Sequence, residues 1–387
     1  MHRFRLLAVG LVAGALGVAM AVPATAQIMI SANDGKGVLV NGVNTVPDTP
    51  EADNVTIYDL GSTPPKLLAE IKMPTSLVGP PSSVAIAHDK SFALVTAATK
   101  IDPADPKKVA PENKVSVIDL TATPPAVIAT HETGSGASGV AIDPTGKVAL
   151  VANRQEGSVS VFTIAGKTLK AAGKVQLGDA KSGPSAVQFA PDGKTALVTR
   201  DGDHKISVLT VEGGKVEHSK RDIHAGLKPY PLEISRNGKF AAISNVGMGN
   251  GDSDTVSLID LEAKPARVVE TVSVGMTPET IAISPDSRFV AVNIMNGTNK
   301  PSGTPFFNPN GYVAVYAVEG SKLNKVAEAK VGRWCQGTAW RKDSKLLLVQ
   351  CMMENEIQMF DFDGKSLQPA GAIKVKGGPG GLGVSQD

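Results

Sequence analysis

The chain has 387 residues, with 39 basic and 37 acidic side chains for a formal charge of +2, only 4% aromatic residues and two cysteines. This near balance gives no global basic footprint for nucleic acid or anionic lipid. Length alone allows two domains, but no charge block, low-complexity tract or Pro-Ser linker divides the sequence.

The first predicted element is a secretory signal peptide. Met1-His2-Arg3-Phe4-Arg5 is basic, Leu6–Val22 is an apolar run diluted by glycines, and Ala24-Thr25-Ala26 supplies the small-residue cleavage pattern. Cleavage after Ala26 leaves Gln27 first and removes Arg3 and Arg5, so the mature chain has 37 basic residues against 37 acidic ones. The alternative, a transmembrane anchor, is disfavoured because about 17 residues is the short limit for a span. The expectation is a periplasmic protein with no membrane span after cleavage.

From residue 54 onward one strand pattern recurs seven times: Asn54–Leu60, Lys114–Leu120, Ser158–Ile164, Lys205–Val211, Thr255–Leu261, Tyr312–Val318 and Glu356–Phe362. Each alternates apolar and polar residues, the period of a half-buried strand. The spacing of about 44 to 60 residues lies in the propeller range. The third unit shows the whole repeat. Ser138–Asp143 reads as a first strand, Pro144–Lys147 as a turn, Val148–Asn153 as a second strand, Ser158–Ile164 as a third and Leu169–Leu177 as a fourth. The turn recurs at Pro191–Lys194, Arg236–Lys239, Pro285–Arg288 and Lys342–Lys345. Four antiparallel strands per unit make a propeller blade. The fold expected is therefore an all-β, seven-bladed propeller over residues 27–387. The N-terminal unit begins at the turn Asn33–Lys36 without a full first strand, so the C-terminal strand within Gly377–Asp387 is expected to complete it and close the ring.

Second strands are read to end at Leu39–Gly42, Leu94–Ala97, Leu150–Asn153, Leu197–Arg200 and Ala242–Asn245. With the Pro-Asp-Gly-Lys turns and the Val-Ser-Val-Ile-Asp-Leu strands, these segments resemble the YVTN-repeat seven-bladed propellers, which are related to lactonase-type and d1-haem-type propellers. The resemblance is specific for fold and weak for chemistry, and blades 6 and 7 depart most from it.

Cys335 and Cys351 lie symmetrically about the turn of the seventh blade, at facing positions of one hairpin. A disulfide between them is expected in an oxidising compartment.

Long links between second and third strands are read in blade 1 (42–53), blade 2 (98–113), blade 5 (246–254) and blade 6 (295–311), and short ones in blades 3, 4 and 7. This predicts two walls, over blades 1–2 and 5–6, with a groove running from blades 3 and 4 across the axis to blade 7. Aligned first strands place Ser82, Ser138, Ser185, Tyr230, Glu279, Gln336 and Gly380 around the channel mouth. Asn153, Arg200 and Asn245 add second-strand ends, His204 and Asp201 a short turn, and Arg333 and Trp334 the linker into blade 7.

Glu279, His204, Arg200 and Tyr230 are the candidates for acid–base work. The same four side chains could instead hold an anionic or polyol ligand, and Asn153, Asn245, Arg333, Trp334 and Gln336 are the further ligand-binding candidates. The lactonase resemblance implies a divalent cation held by Glu279, Asn245 and Asn153, since hard cations take such oxygen ligands. Otherwise no cofactor is expected. Asn250, Asp252 and Asp254 mimic the start of a calcium loop, but Thr255 and Leu261 stand where it needs Gly and Glu. Phe306-Phe307 is an aromatic pair on the blade 6 loop. No nucleophile elbow, phosphate loop or haem-attachment motif is present.

Two functions follow. The first is a monomeric, non-catalytic binding or scaffold propeller for a protein partner, small metabolite or polymer. The second is a lactonase-type hydrolase using Glu279 at the mouth. A redox-accessory role has no residue-level support.

Overall fold

The computed structural model describes residues 27–386. The expected signal peptide, residues 1–26, lies outside the described residues. The described chain forms seven four-stranded antiparallel sheets, the blades of one ring, plus a small two-stranded sheet. The blade that closes the ring takes its first strand from the C-terminus: Gly378–Val384 pairs with Ile28–Asp34, which pairs with Asn54–Asp59 and then Lys66–Lys72. Ser385 reinforces the join, its amide donating to Ile28 O at 2.8 Å and its hydroxyl accepting from Ile28 N at 3.0 Å.

This corrects one reading. The second strand of blade 1 is Ile28–Asp34, not a segment ending at Leu39–Gly42. The latter belongs to a hairpin, Val38–Val40 with Val43–Thr45, inserted between the second and third strands. Sequence similarity misleads here because the hairpin carries the same local pattern, Leu-Val-Asn-Gly, as a genuine second-strand end.

The turn between first and second strands follows directly from its residues. Asp143 Oδ1 accepts from the Lys147 and Val148 amides, both at 2.6 Å, and Gly146 takes a φ of +68°. Gly193 and Gly238 do the same at +67° and +71°, whereas Ser287 and Ser344 adopt +58° in the Pro-Asp-Ser-Arg and Lys-Asp-Ser-Lys versions.

The core is divided by blade interface. Seven apolar clusters each join two neighbouring blades. One couples Ile57 to Val95 (blades 1 and 2) and another Met29 to Leu348 (blades 1 and 7), so the apolar ring is continuous through the closure. An eighth cluster, Leu77, Met295, Trp334 and Met352, lies instead at the channel mouth.

First strands carry a bulge. Their register against the second strand slips once in blades 3 to 7, each time by one extra residue on the first strand, as between Ala137 and Val140 or Pro184 and Val187. Such a bulge bends the strand and re-aims a side chain. Hydroxyls on the preceding blade bond to the bulged strands: Thr199 Oγ1 donates to Tyr230 O at 2.6 Å, Thr96 to Ser138 O and Thr280 to Gln336 O.

Candidate functional site at the channel mouth

The bulges bring the predicted ring together. Ser138, Ser185, Glu279 and Gln336 are buried there, and Tyr230 is half-buried. Arg154, which sequence reasoning missed, organises them. Its Nη1 donates to Ser185 Oγ at 2.7 Å and its Nη2 pairs with Asp201 Oδ2 at 2.6 Å, while the guanidinium lies 5.3 Å from the Tyr230 ring centroid. Ser185 Oγ also donates to Asp201 Oδ1 at 2.6 Å.

Electrostatics follow from this packing. Burial pushes the Glu279 carboxyl up to about 8, against the pull of Arg154 and with a contribution from Asp201. Burial also raises the Tyr230 phenol far above its ordinary range, although Arg154 opposes it. Burial works against the Arg154 charge, but Tyr230, Asp201 and Glu279 outweigh it and raise its pKa.

Arg200 is not part of this cluster. It is buried within its own blade, paired with Asp203, with Nη1 donating to Ser207 Oγ at 3.1 Å and lying 3.6 Å from Asp222 Oδ2. His204 sits in the following turn at φ +61°, its Nδ1 accepting from Lys228 N at 3.2 Å. The reason is strand parity: successive residues point to opposite faces. Arg154 and Asp201 directly follow the second-strand ends Asn153 and Arg200, so the mouth is lined one position later than expected. The same repeat position holds Met295 in blade 6 and Met352 in blade 7, both in the apolar mouth cluster. Opposite charges at one repeat position in consecutive blades were the available signal.

Asn153 and Asn245 likewise serve their own blades. Asn153 Oδ1 accepts from Gly134 N at 3.0 Å and its Nδ2 donates to Ser158 and Ser160 at 2.8 and 3.0 Å. Asn245 Nδ2 donates to Thr255 and Ser257, both at 3.0 Å. These amides do not converge with Glu279, so the residues present do not fit the oxygen cage a divalent cation requires. Among the described residues no three His, Cys, Asp or Glu side chains group to hold a metal. Asp254 of the calcium-like loop instead accepts from Thr277 N at 2.8 Å.

Arg333 stays at the rim, its Nε 3.0 Å from Glu354 Oε1. Trp334 is buried in the apolar cluster, with its amide donating to Thr298 Oγ1 at 2.9 Å. Gln336 Oε1 is buried without a hydrogen-bond partner, as are Ser82 Oγ and Ser138 Oγ on the same ring. Cys335 and Cys351 are direct partners in the blade 7 ladder and are disulfide-bonded.

The mouth is roofed. The segment Ser76–Pro81, entering blade 2, places Leu77 against Trp334, Met295 and Met352 and the Gly79 backbone against the Tyr230 hydroxyl. Gly79 has a φ of +109°, and a Cβ there would collide with Ser138 Oγ. The base of this strap is tied down by a buried ion triad. Lys36 Nζ meets Asp34 Oδ2 at 3.0 Å, Asp53 Oδ2 at 2.7 Å and Thr75 O at 2.6 Å, and Asp34 Oδ2 accepts from Leu77 N at 3.0 Å.

The loops above also differ from the two-wall expectation. In blade 2 the predicted loop is a ribbon, because the second and third strands extend as Phe92–Asp102 and Asp105–Asp119. Lys107 of that ribbon pairs with Asp48 of blade 1. The blade 1 hairpin spans blade 7 to reach blade 6, where a Cβ on Gly42 would run into Pro301. Gly251 of blade 5 packs under Phe306 of blade 6. The walls therefore join into one crescent, open only at blades 3 and 4.

Comparisons with known proteins agree with this architecture. The family model described as lactonase, 7-bladed beta-propeller, matches residues 109–227. No curated protein matches the chain. Among solved structures, a functionally unknown protein from Desulfotomaculum acetoxidans is 15% identical at a TM-score of 0.68, covering 92% of this chain and 98% of its own. The periplasmic gluconolactonase of Pseudomonas aeruginosa is 16% identical at 0.68, covering 93% and 99%. Hydrazine synthase of Kuenenia stuttgartiensis is 19% identical at 0.62, covering 80% and 90%. At these identities the likeness is one of fold: the chain is a seven-bladed β-propeller, and its residues 109–227 are similar to the lactonase propeller family.

Proposed function

We propose that this is an exported, non-catalytic binding propeller that engages a protein partner through its crescent of loops. One observation carries the reading: among the described residues, seven of the nine exposed large hydrophobic side chains, Val38, Val40, Val43, Val109, Leu227, Met248 and Phe306, stand on that face, while the polar mouth beneath is roofed and the Arg154 cation already paired. Apolar side chains gathered on one face of a soluble protein mark interaction surfaces. Export is supported by the signal-peptide pattern and by the disulfide. The YVTN-type assignment within the propeller class rests on the second-strand ends of blades 2 to 5 and the turns quoted above. Cross-linking in the cell envelope tests the reading: wild type gives a defined adduct that Val40→Glu with Val43→Glu loses, and an adduct unchanged by that pair argues against it.

A lactonase is the second reading. Glu279, with a pKa near 8 beside Arg154 and Tyr230, is poised for proton transfer near neutral pH, and the lactonase propeller model matches part of the chain. Glu279→Gln abolishes turnover in this case and leaves partner binding intact in the first.

A further inference from the structure

The central channel also opens on the opposite face, among the turns that join first to second strands. There a well of about 470 Å³ reaches inward to Pro81 and Ser82. That volume lies in the range of small-molecule sites.

Seven equivalent residues, one per blade, line it. They are Ala85, Ala141, Gln188, Glu233, Ala282, Ala339 and Gly383, the next-to-last residue of each first strand. Five are Ala or Gly, and their small size leaves the space. The other two are polar, and they stand on adjacent blades. Each uses one atom to cap the next blade: Gln188 Oε1 accepts from Ile234 N at 2.5 Å, and Glu233 Oε2 accepts from Ile283 N at 2.6 Å. These bonds fix both head groups and leave Gln188 Nε2, a donor, and Glu233 Oε1 to the well. We propose that the well is a second binding site, for a small neutral sugar or polyol, with Gln188 Nε2 donating to one ligand hydroxyl and Glu233 Oε1 accepting from another.

A neutral ligand suits the electrostatics. Burial pushes Glu233 up to about 7, with the Ile283 amide and Arg236 opposing the rise, so the carboxyl sits close to neutrality and does not call for a charged partner. A donor beside an acceptor on one rigid wall matches vicinal hydroxyls, each of which both gives and takes a hydrogen bond. The small residues opposite admit the ligand's bulk.

Saturation-transfer NMR on the mature chain, with glucose, xylose, mannitol and myo-inositol as probes at millimolar concentration, tests this. Transfer is expected from at least one probe, and its affinity falls about tenfold or more in the Gln188→Ala/Glu233→Ala variant, which installs the residue four other blades carry. Ala85→Leu fills the half-exposed opposite wall without touching either cap, and removes binding while the circular dichroism spectrum stays native. Absence of transfer from all four probes overturns the proposal, as does transfer undiminished in both variants.

Discussion

Arg154 and Asp201 meet at 2.6 Å across the boundary of blades 3 and 4, from the same position of consecutive repeats. The pair neutralises the one cation of the mouth cluster, and Glu279 is left buried beside it. Folded Glu279 titrates near 8, against about 4.3 for a free glutamate. Because the folded value is raised, its contribution is fully present below the unfolded pKa and is lost as pH rises through the folded one.

Glu279→Gln therefore melts close to wild type at pH 5 and above it at pH 9. Thermal unfolding of the two proteins across this range checks the sign. Glu233 titrates with the same sense in both proteins and cancels from the difference.

Lys36→Met leaves Asp34 and Asp53 facing each other without their cation, with side chains 2% and 14% exposed. Breaking a buried pair on one side costs about 3–5 kcal/mol. The variant is expected to unfold at clearly lower denaturant, and protease access to Ser76–Pro81 to rise. An unchanged midpoint would show that the triad does not hold the strap.

Removal of residues 380–387 deletes most of the strand that closes the ring and exposes the edge of Ile28–Asp34. An open edge on a curled sheet invites aggregation. Size-exclusion chromatography should give aggregate in place of the discrete wild-type peak.

Thiol titration of the denatured, unreduced protein should find no free cysteine, since Cys335 and Cys351 are bonded. Replacing both by Ser removes a cross-link over a short loop, worth about 3 kcal/mol.

Blade number, ring closure and the cysteine pairing were legible in the sequence because each rests on period-2 alternation or on symmetric spacing about a turn. The ring of Ser138, Ser185, Tyr230, Glu279 and Gln336 was legible for the same reason, repeats being superposable. Arg154 was not, and Asp201 was read only as a turn residue beside Arg200, because the strand ends themselves were taken to face the mouth, and an error of one residue in a strand reverses the face. Ile28–Asp34 was overlooked as a second strand because its first strand lies about 350 residues away in sequence. The crescent was hidden because contact between Gly42 and Pro301 is a tertiary event with no local pattern.

Hydrolysis of a panel of sugar and aliphatic lactones by the mature protein, followed by pH-stat with and without EDTA, tests the central claim of a non-catalytic propeller. The account predicts no turnover above the uncatalysed rate in either condition. Turnover that Glu279→Gln abolishes would contradict it and make the mouth cluster an active site.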